Sequence, residues 1–453
     1  MRGLKTTIGL VVVLGGLFAY IYFVTWKQPE GGGDSAAAGT KLEKVFPGLQ
    51  SDKIDEIHVH PESGDSTVLK KDKDGWKLTE PVQAAAQESE ASGIANALSQ
   101  LEVARVIDDN PASLVEYGLG APRVEIQFKA GGDKDFKKLF IGQKTPTGAN
   151  LFAKRNDDKR VFTIGSFQDS TFNKSTFDLR DKTVVKFDRD KVDHVEISAD
   201  NKALELAKTG GDWKLVKPLQ APADLAAAEG LIGKIQSAQM KSIVADDVPQ
   251  GDLKKYGLDK PSASVTVGLG SAKASLLLGG KSGDGSVYAK DASQPLVMTV
   301  DPSLADDLKK GADDYRKRDL FAFRAYDTTR LELTRGGQTI AFDKIKAAKP
   351  EDEDKWRRAG AQADADKEKM SVLLAKLESL RAMSFVDPTV KTGLDMPVLT
   401  VFAKYDDGKK EERVTFGKVG NEVYASRPGE PGAAKVNPTE FDEVVKKLDE
   451  LQK

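Results

Sequence analysis

The sequence predicts an α+β protein. It reads as an N-terminal transmembrane helix followed by three tandem repeats, each an antiparallel sheet with a helix packed on it. Three observations carry this. A Gly-Leu-x-x-Pro stretch occurs as Gly118-Leu119-Gly120-Ala121-Pro122, Gly257-Leu258-Asp259-Lys260-Pro261 and Gly393-Leu394-Asp395-Met396-Pro397, at intervals the size of a small domain. Each proline leads into a run alternating apolar and polar residues, the period of a half-buried strand. Residues 6–26 carry no charge at all. A length of 453 residues, at about 150 per domain, also suits three units. The expected boundaries are 1–26 for a cytoplasmic stub and transmembrane helix, 27–48 for a flexible tether, then repeats over 49–186, 187–325 and 326–453.

As a helix, residues 6–26 would extend about 31 Å, matching a hydrocarbon core of about 30 Å. Tyr20, Tyr22 and Trp26 gather towards one end, where interfacial aromatics sit. Arg2 and Lys5 precede the run, so the positive-inside rule keeps the N-terminus cytoplasmic and sends the bulk across. The rival reading, a signal peptide cleaved near Ala36-Ala37-Ala38, places the site beyond Lys27, Pro29 and Glu30, far from the apolar run. The following segment, with Gly31-Gly32-Gly33, has no apolar periodicity and reads as a tether.

The first repeat opens with Ile54, Ile57 and Val59 interleaved with Asp55, Glu56, His58 and His60, and Lys73-Asp74-Gly75 marks a hairpin turn before Trp76-Lys77-Leu78-Thr79-Glu80-Pro81. A helix is predicted over 88–107, with Ile94, Leu98, Leu101 and Ala104 on one face. Then comes the Gly-Leu turn. Asn110-Pro111 suits the entry to a short helix, and Gly118 supplies the left-handed residue that ends it, with Leu114 and Leu119 in apolar contact. Strands follow at 124–128, 138–141, 151–154 and 161–164.

The second repeat copies this order. Val192, Val195 and Ile197 answer the opening strand, Trp213-Lys214-Leu215-Val216-Lys217-Pro218 the tryptophan motif, and Ile232, Ile235 and Ala238 the helix face. The third runs from Leu331 and Leu333 through Trp356 and a helix bearing Met370, Leu373, Leu377 and Leu380 to a terminal helix over 438–451. It lacks the Trp-Lys-Leu-x-x-Pro spelling, and the charge run over 344–369 reads as a solvated insertion.

Composition excludes several classes. Lys+Arg 68 against Asp+Glu 70 leaves a net charge of −2, so no global basic field argues for nucleic acid. The absence of cysteine excludes disulfides, thiolate metal sites, cysteine nucleophiles and an acylated lipoprotein cysteine.

The Trp-Lys-Leu-x-x-Pro, Tyr-Gly-Leu-x-x-Pro, Gly-Gln/Gly-Gly and Tyr-Ala-Lys elements, in that order behind an N-terminal anchor, resemble the bacterial domain of unknown function 4340 family. The resemblance covers the chain after the tether, most clearly in the first two repeats. It implies a single-pass inner-membrane protein, with the inner membrane as a partner through 6–26 and the bulk in the periplasm. It further implies contacts with the permease or ATPase subunits of ABC exporters of the gliding-motility type. Its motifs are structural and transfer no catalytic residue.

The candidate chemistries are weak. Gly279-Gly280-Lys281-Ser282 looks like the end of a phosphate-binding loop, but Ser275 stands where that loop needs glycine, so a hairpin turn is expected. His58-x-His60 is half of a metal site in spacing alone, and the matching positions in the later repeats are Glu196, Ser198, Glu332 and Thr334. These alternate with apolar residues, as an exposed sheet face does. His194, the third histidine, is expected to be exposed too. No Gly-x-Ser-x-Gly elbow is present. Trp76, Trp213 and Trp356 are read as core plugs rather than sugar platforms. We therefore assign no catalytic, cofactor-binding or metal residue and no cofactor. The expectation is an accessory protein acting by contact, the alternatives being a module binding glycan or peptidoglycan and a hydrolase built on two carboxylates.

Overall fold

The structure, a computed structural model, describes residues 42–347, 349 and 353–452. The uncharged run 6–26 and most of the expected tether lie outside the described residues. Among the described residues, no helix is long and apolar enough to cross a membrane. The architecture is α+β and its sheets are antiparallel throughout. The chain divides into two compact units with the break between Leu179 and Arg180.

The first unit is built on nine strands: β1 (Ile54–His60), β2 (Thr67–Asp72), β3 (Gly75–Glu80), β4 (Ala84–Ala85), β5 (Arg105–Asp108), β6 (Val124–Ala130), β7 (Lys137–Lys144), β8 (Asn150–Arg155) and β9 (Val161–Gly165). Their order across the sheet is β4-β3-β2-β1-β6-β7-β8-β9-β5. Ile57 and Val59 alternate inward on β1, a register shift between Ile54 and Glu56 brings Ile54 in as well, and Val124, Ile126 and Phe128 alternate inward on β6, all fully buried. Helix α1 (Glu88–Gln100) lays Ala91, Ile94, Ala95 and Leu98 on that face. It stops at Gln100, short of the predicted 107. Leu101 is already extended, and the β-branched Val106 and Ile107 enter edge strand β5 beside β9.

The expected tether also ends early. Val45 and Phe46 are 1% and 7% exposed, and Phe46 meets Phe128 edge-to-face at 4.9 Å. The Val45 amide donates to Leu101 O and the Val103 amide to Glu43 O, both at 2.8 Å. Residues 43–46 therefore stitch across the end of α1, because two large apolar side chains gain more from the core than from solvent.

The second unit holds two sheets. The nine-stranded one comprises β10 (His194–Ala199), β11 (Lys202–Thr209), β12 (Asp212–Lys217), β13 (Ala221–Pro222), β14 (Met240–Ala245), β15 (Ala263–Leu269), β16 (Ala272–Lys281), β17 (Val287–Asp291) and β18 (Val297–Val300). Its order, β13-β12-β11-β10-β15-β16-β17-β18-β14, repeats that of the first sheet position by position. The eight-stranded sheet comprises β19 (Thr328–Arg335), β20 (Gln338–Ile345), β21 (Lys355–Arg358), β22 (Ala382–Val386), β23 (Leu399–Tyr405), β24 (Lys410–Val419), β25 (Glu422–Ser426) and β26 (Ala433–Val436). Its order is β21-β20-β19-β23-β24-β25-β26-β22, the short outer strand being reduced, among the described residues, to the single bridge Arg357–Asp364.

Helix α2 (Leu225–Ser237) is capped by Asp224 and helix α3 (Lys367–Ser379) by Asp366, each side chain accepting from an amide three residues on. The terminal helix α4 (Pro438–Gln452) buries Phe441, Val444 and Leu448. The stitch seen at residues 43–46 recurs twice. Val184 N donates to Ala238 O and Met240 N to Lys182 O; Leu320 N donates to Leu380 O and Ala382 N to Arg318 O. Part of the charge run 344–369 is sheet rather than solvated insertion. Trp356 on β21 points inward at 6% exposure, flanked by Lys355 and Arg357 on the opposite face, exposed and half-buried in turn.

Candidate functional site

The thrice-repeated turn packs against a glycine of the sheet. Gly118, Gly257 and Gly393 have φ of 65°, 68° and 70°, the left-handed region where a side chain is strained. A short 3-10 turn leads into each of the first two (Val115–Tyr117 and Gln250–Tyr256), and Leu119 N and Leu258 N reach back to Leu114 O and Leu253 O at 2.9 and 3.0 Å. The partner glycines are Gly142 on β7, Gly279 on β16 and Gly417 on β24. A Cβ there would lie 2.1, 2.1 and 2.4 Å from the carbonyl oxygens of Tyr117, Tyr256 and Thr392, a distance no real contact tolerates. The turn thus lies flat on the sheet because the sheet has no side chain beneath it. In the second sheet this strap covers a small apolar cluster of Val248, Leu253, Leu258 and Val297, with Tyr256 against Tyr288 at 5.0 Å between centroids.

This placement disposes of the phosphate-loop likeness. Gly279 and Gly280 are strand residues, and Ser282 Oγ is held within a hairpin by Ser286 O at 3.0 Å and by Asp284. The Ser282 hydroxyl, with the Ser286 amide and hydroxyl, pulls the Asp284 carboxyl down to about 2.

The tryptophans are interior, with Trp76, Trp213 and Trp356 at 3%, 2% and 6% exposure. Each has a lysine directly across the strand pair: Lys71, Lys208 and Lys344, with Nζ 5.8, 5.7 and 5.9 Å from the ring centroid. This cross-strand pair persists in the third repeat, where the local spelling is lost. Sequence reading missed it because the lysine sits on a different strand. Trp213 Nε1 donates to Glu229 Oε1 at 2.9 Å, and that bond helps hold the Glu229 carboxyl below its usual range. Trp76 Nε1 is buried without a partner.

The histidines divide. His58 Nε2 meets Glu56 Oε1 at 2.8 Å, while His60 Nδ1 meets Ser66 Oγ at 2.6 Å. The His58-x-His60 pair is thus engaged by separate partners. Burial works to raise the Glu56 carboxyl, but His58, Lys70 and Lys129 outweigh it and hold it low. His194 is half-buried and convergent: its Nε2 lies 3.2 Å from Glu196 Oε1 and 3.7 Å from Glu205 Oε1. Lys217 Nζ takes the other Glu205 oxygen at 2.7 Å, which raises the Lys217 ammonium. His194-x-Glu196 is a legible same-face pair. Glu205 belongs to the next strand, and only the register of β10 against β11 brings it in.

The family model described as domain of unknown function (DUF4340) matches residues 76–214 and 213–397. The chain belongs to this family. The two DUF4340 matches begin at Trp76 and Trp213, inside β3 and β12; the first ends at Lys214 in β12 and the second at Pro397, ahead of β23, so each matched unit starts in the third strand of a sheet. Its phase is offset from that of the complete DUF4340 sheets. No curated protein matches the chain. Among solved structures, the DNA polymerase sliding clamp from Pseudomonas aeruginosa aligns at 10% identity over 87% of this chain and 93% of that one. Its TM-score of 0.15 carries no argument about this DUF4340 protein.

Proposed function

We propose that this chain is a membrane-anchored periplasmic repeat protein that acts by protein contact, as an accessory subunit of an ABC-type exporter in the bacterial inner membrane. One observation supports the contact reading above others. The residues repeated across the chain are absorbed in holding the fold: the turn glycines lie on the sheet glycines, and the tryptophans plug the cores. What the repeats share is a scaffold. The anchor reading rests on the uncharged run 6–26 with Arg2 and Lys5 before it.

The test is membrane fractionation of bacteria carrying the full chain, followed by mild detergent extraction and capture through a C-terminal tag. The reading expects the chain in the membrane fraction, a C-terminal reporter active in the periplasm, and an exporter permease or ATPase in the eluate. Recovery from the soluble fraction overturns the anchor. Retention on cell-wall material with no exporter subunit overturns the accessory role.

A further inference from the structure

The second sheet brings together three side chains with the chemistry of metal ligands. One ligand atom from each of His194, Glu196 and Glu205 lies within 4.8 Å of the others. Zinc binds imidazole nitrogen and carboxylate oxygen at about 2.0–2.2 Å, so neighbouring ligands of a tetrahedral site stand about 3.3–3.6 Å apart. The separations of 3.2 and 3.7 Å from His194 Nε2 to the two carboxylates bracket that spacing.

The other two repeats show what ordinarily balances charge here. The residue matching His194 is Glu56 in the first sheet, set in register between Lys70 and Lys129. In the third sheet it is Arg330, between Asp343 and Lys404, and its guanidinium reaches Glu332 and Asp343 at 2.7 Å each. A fixed cation therefore stands between two carboxylates in the third repeat. In the second, the register neighbours of His194 are Ala207 and Gly268, which bring no charge. A Cβ on Gly268 would come within 3.0 Å of His194 Cβ, so the bare glycine keeps the imidazole's flank clear. Among the described residues, the lysine paired with this group is Lys217, which occupies Oε2 of Glu205 and leaves Oε1 towards the histidine.

We propose that His194, Glu196 and Glu205 form a site for a divalent transition-metal cation of the zinc type, with water completing the coordination and Lys217 orienting Glu205. The cation takes the place that the Arg330 guanidinium fills in the third repeat.

The experiment is zinc titration of the untagged full chain in detergent, followed by calorimetry. It expects one saturable equivalent per chain. His194→Ala removes the binding, and the near-isosteric Glu205→Gln weakens it by about tenfold or more. The double variant His58→Ala/His60→Ala, which deletes the other two histidines, keeps it. Circular dichroism of each metal-free variant separates a lost ligand from a lost fold. Absence of saturable binding in the unaltered chain overturns the proposal, and so does binding that survives both His194→Ala and Glu205→Gln.

Discussion

Gly279 and Gly280 are neighbours on β16, yet the structure gives them opposite tolerances. A Cβ on Gly279 would lie 2.1 Å from Tyr256 O, while one on Gly280 would lie at an ordinary 3.7 Å. Gly279→Ala must therefore lift the strap, and lifting it returns Leu253 and Leu258, 4% and 2% exposed, to water. Burying one leucine fully is worth about 1.5–3 kcal/mol, so releasing both costs about 3–6 kcal/mol, and partial relaxation favours the lower end. A local loss of about 3 kcal/mol raises the open population roughly a hundredfold. Trypsin reads this directly, because the exposed Lys254 and Lys255 lie in the strap's own turn. Cleavage there is expected to rise about a hundredfold in Gly279→Ala, if opening is fast relative to cleavage, and no more than a few-fold in Gly280→Ala. Equal rates in the two variants would refute the packing argument.

Other consequences are open to measurement. Trp213→Phe removes a hydrogen bond to a carboxylate and should cost about 1.5–3 kcal/mol beyond the packing change; Trp76→Phe removes an unpartnered buried donor and should cost less, by urea unfolding of each variant. The Asp284 carboxyl, held at about 2 against an ordinary value of about 3.9, should titrate at that low midpoint by carbon-detected NMR. Because its folded value is depressed, its stabilisation is present above the ordinary value and is lost as pH falls towards 2; Asp284→Asn should flatten that limb of the acid-unfolding curve. Arg316, 5% exposed and 3.7 Å above the Phe385 ring, has its pKa pushed down by burial. Arg316→Lys should cost about 2 kcal/mol by the same unfolding measurement, since an ammonium does not replace the flat guanidinium.

Local signals in the sequence carried local structure. A glycine after a short apolar turn marks the left-handed residue, so Gly118, Gly257 and Gly393 were legible, and alternation placed Ile57 and Val59 or Val124 and Ile126 inward. Long-range pairing was not legible. The repeated spelling includes Gly142, Gly279 and Gly417, but nothing local says that a turn lands on them. Edge strands β5 and β14 were missed because short β-branched runs after a helix resemble its last turn, as Val106 and Ile107 do. Val45 and Phe46 looked like part of the tether because an isolated apolar pair has no period to read. At His194 the sequence offers two of the three converging groups, and the third waits on strand register.

Hydrogen–deuterium exchange across the first two straps tests most directly whether the repeated turn serves architecture. Slow exchange at Leu119 and Leu258, in step with β7 and β16 and unaltered by added phosphate or nucleotide, is the predicted result. Straps that exchange as open loops while the sheets stay protected, or that slow only when an anion is supplied, would contradict it.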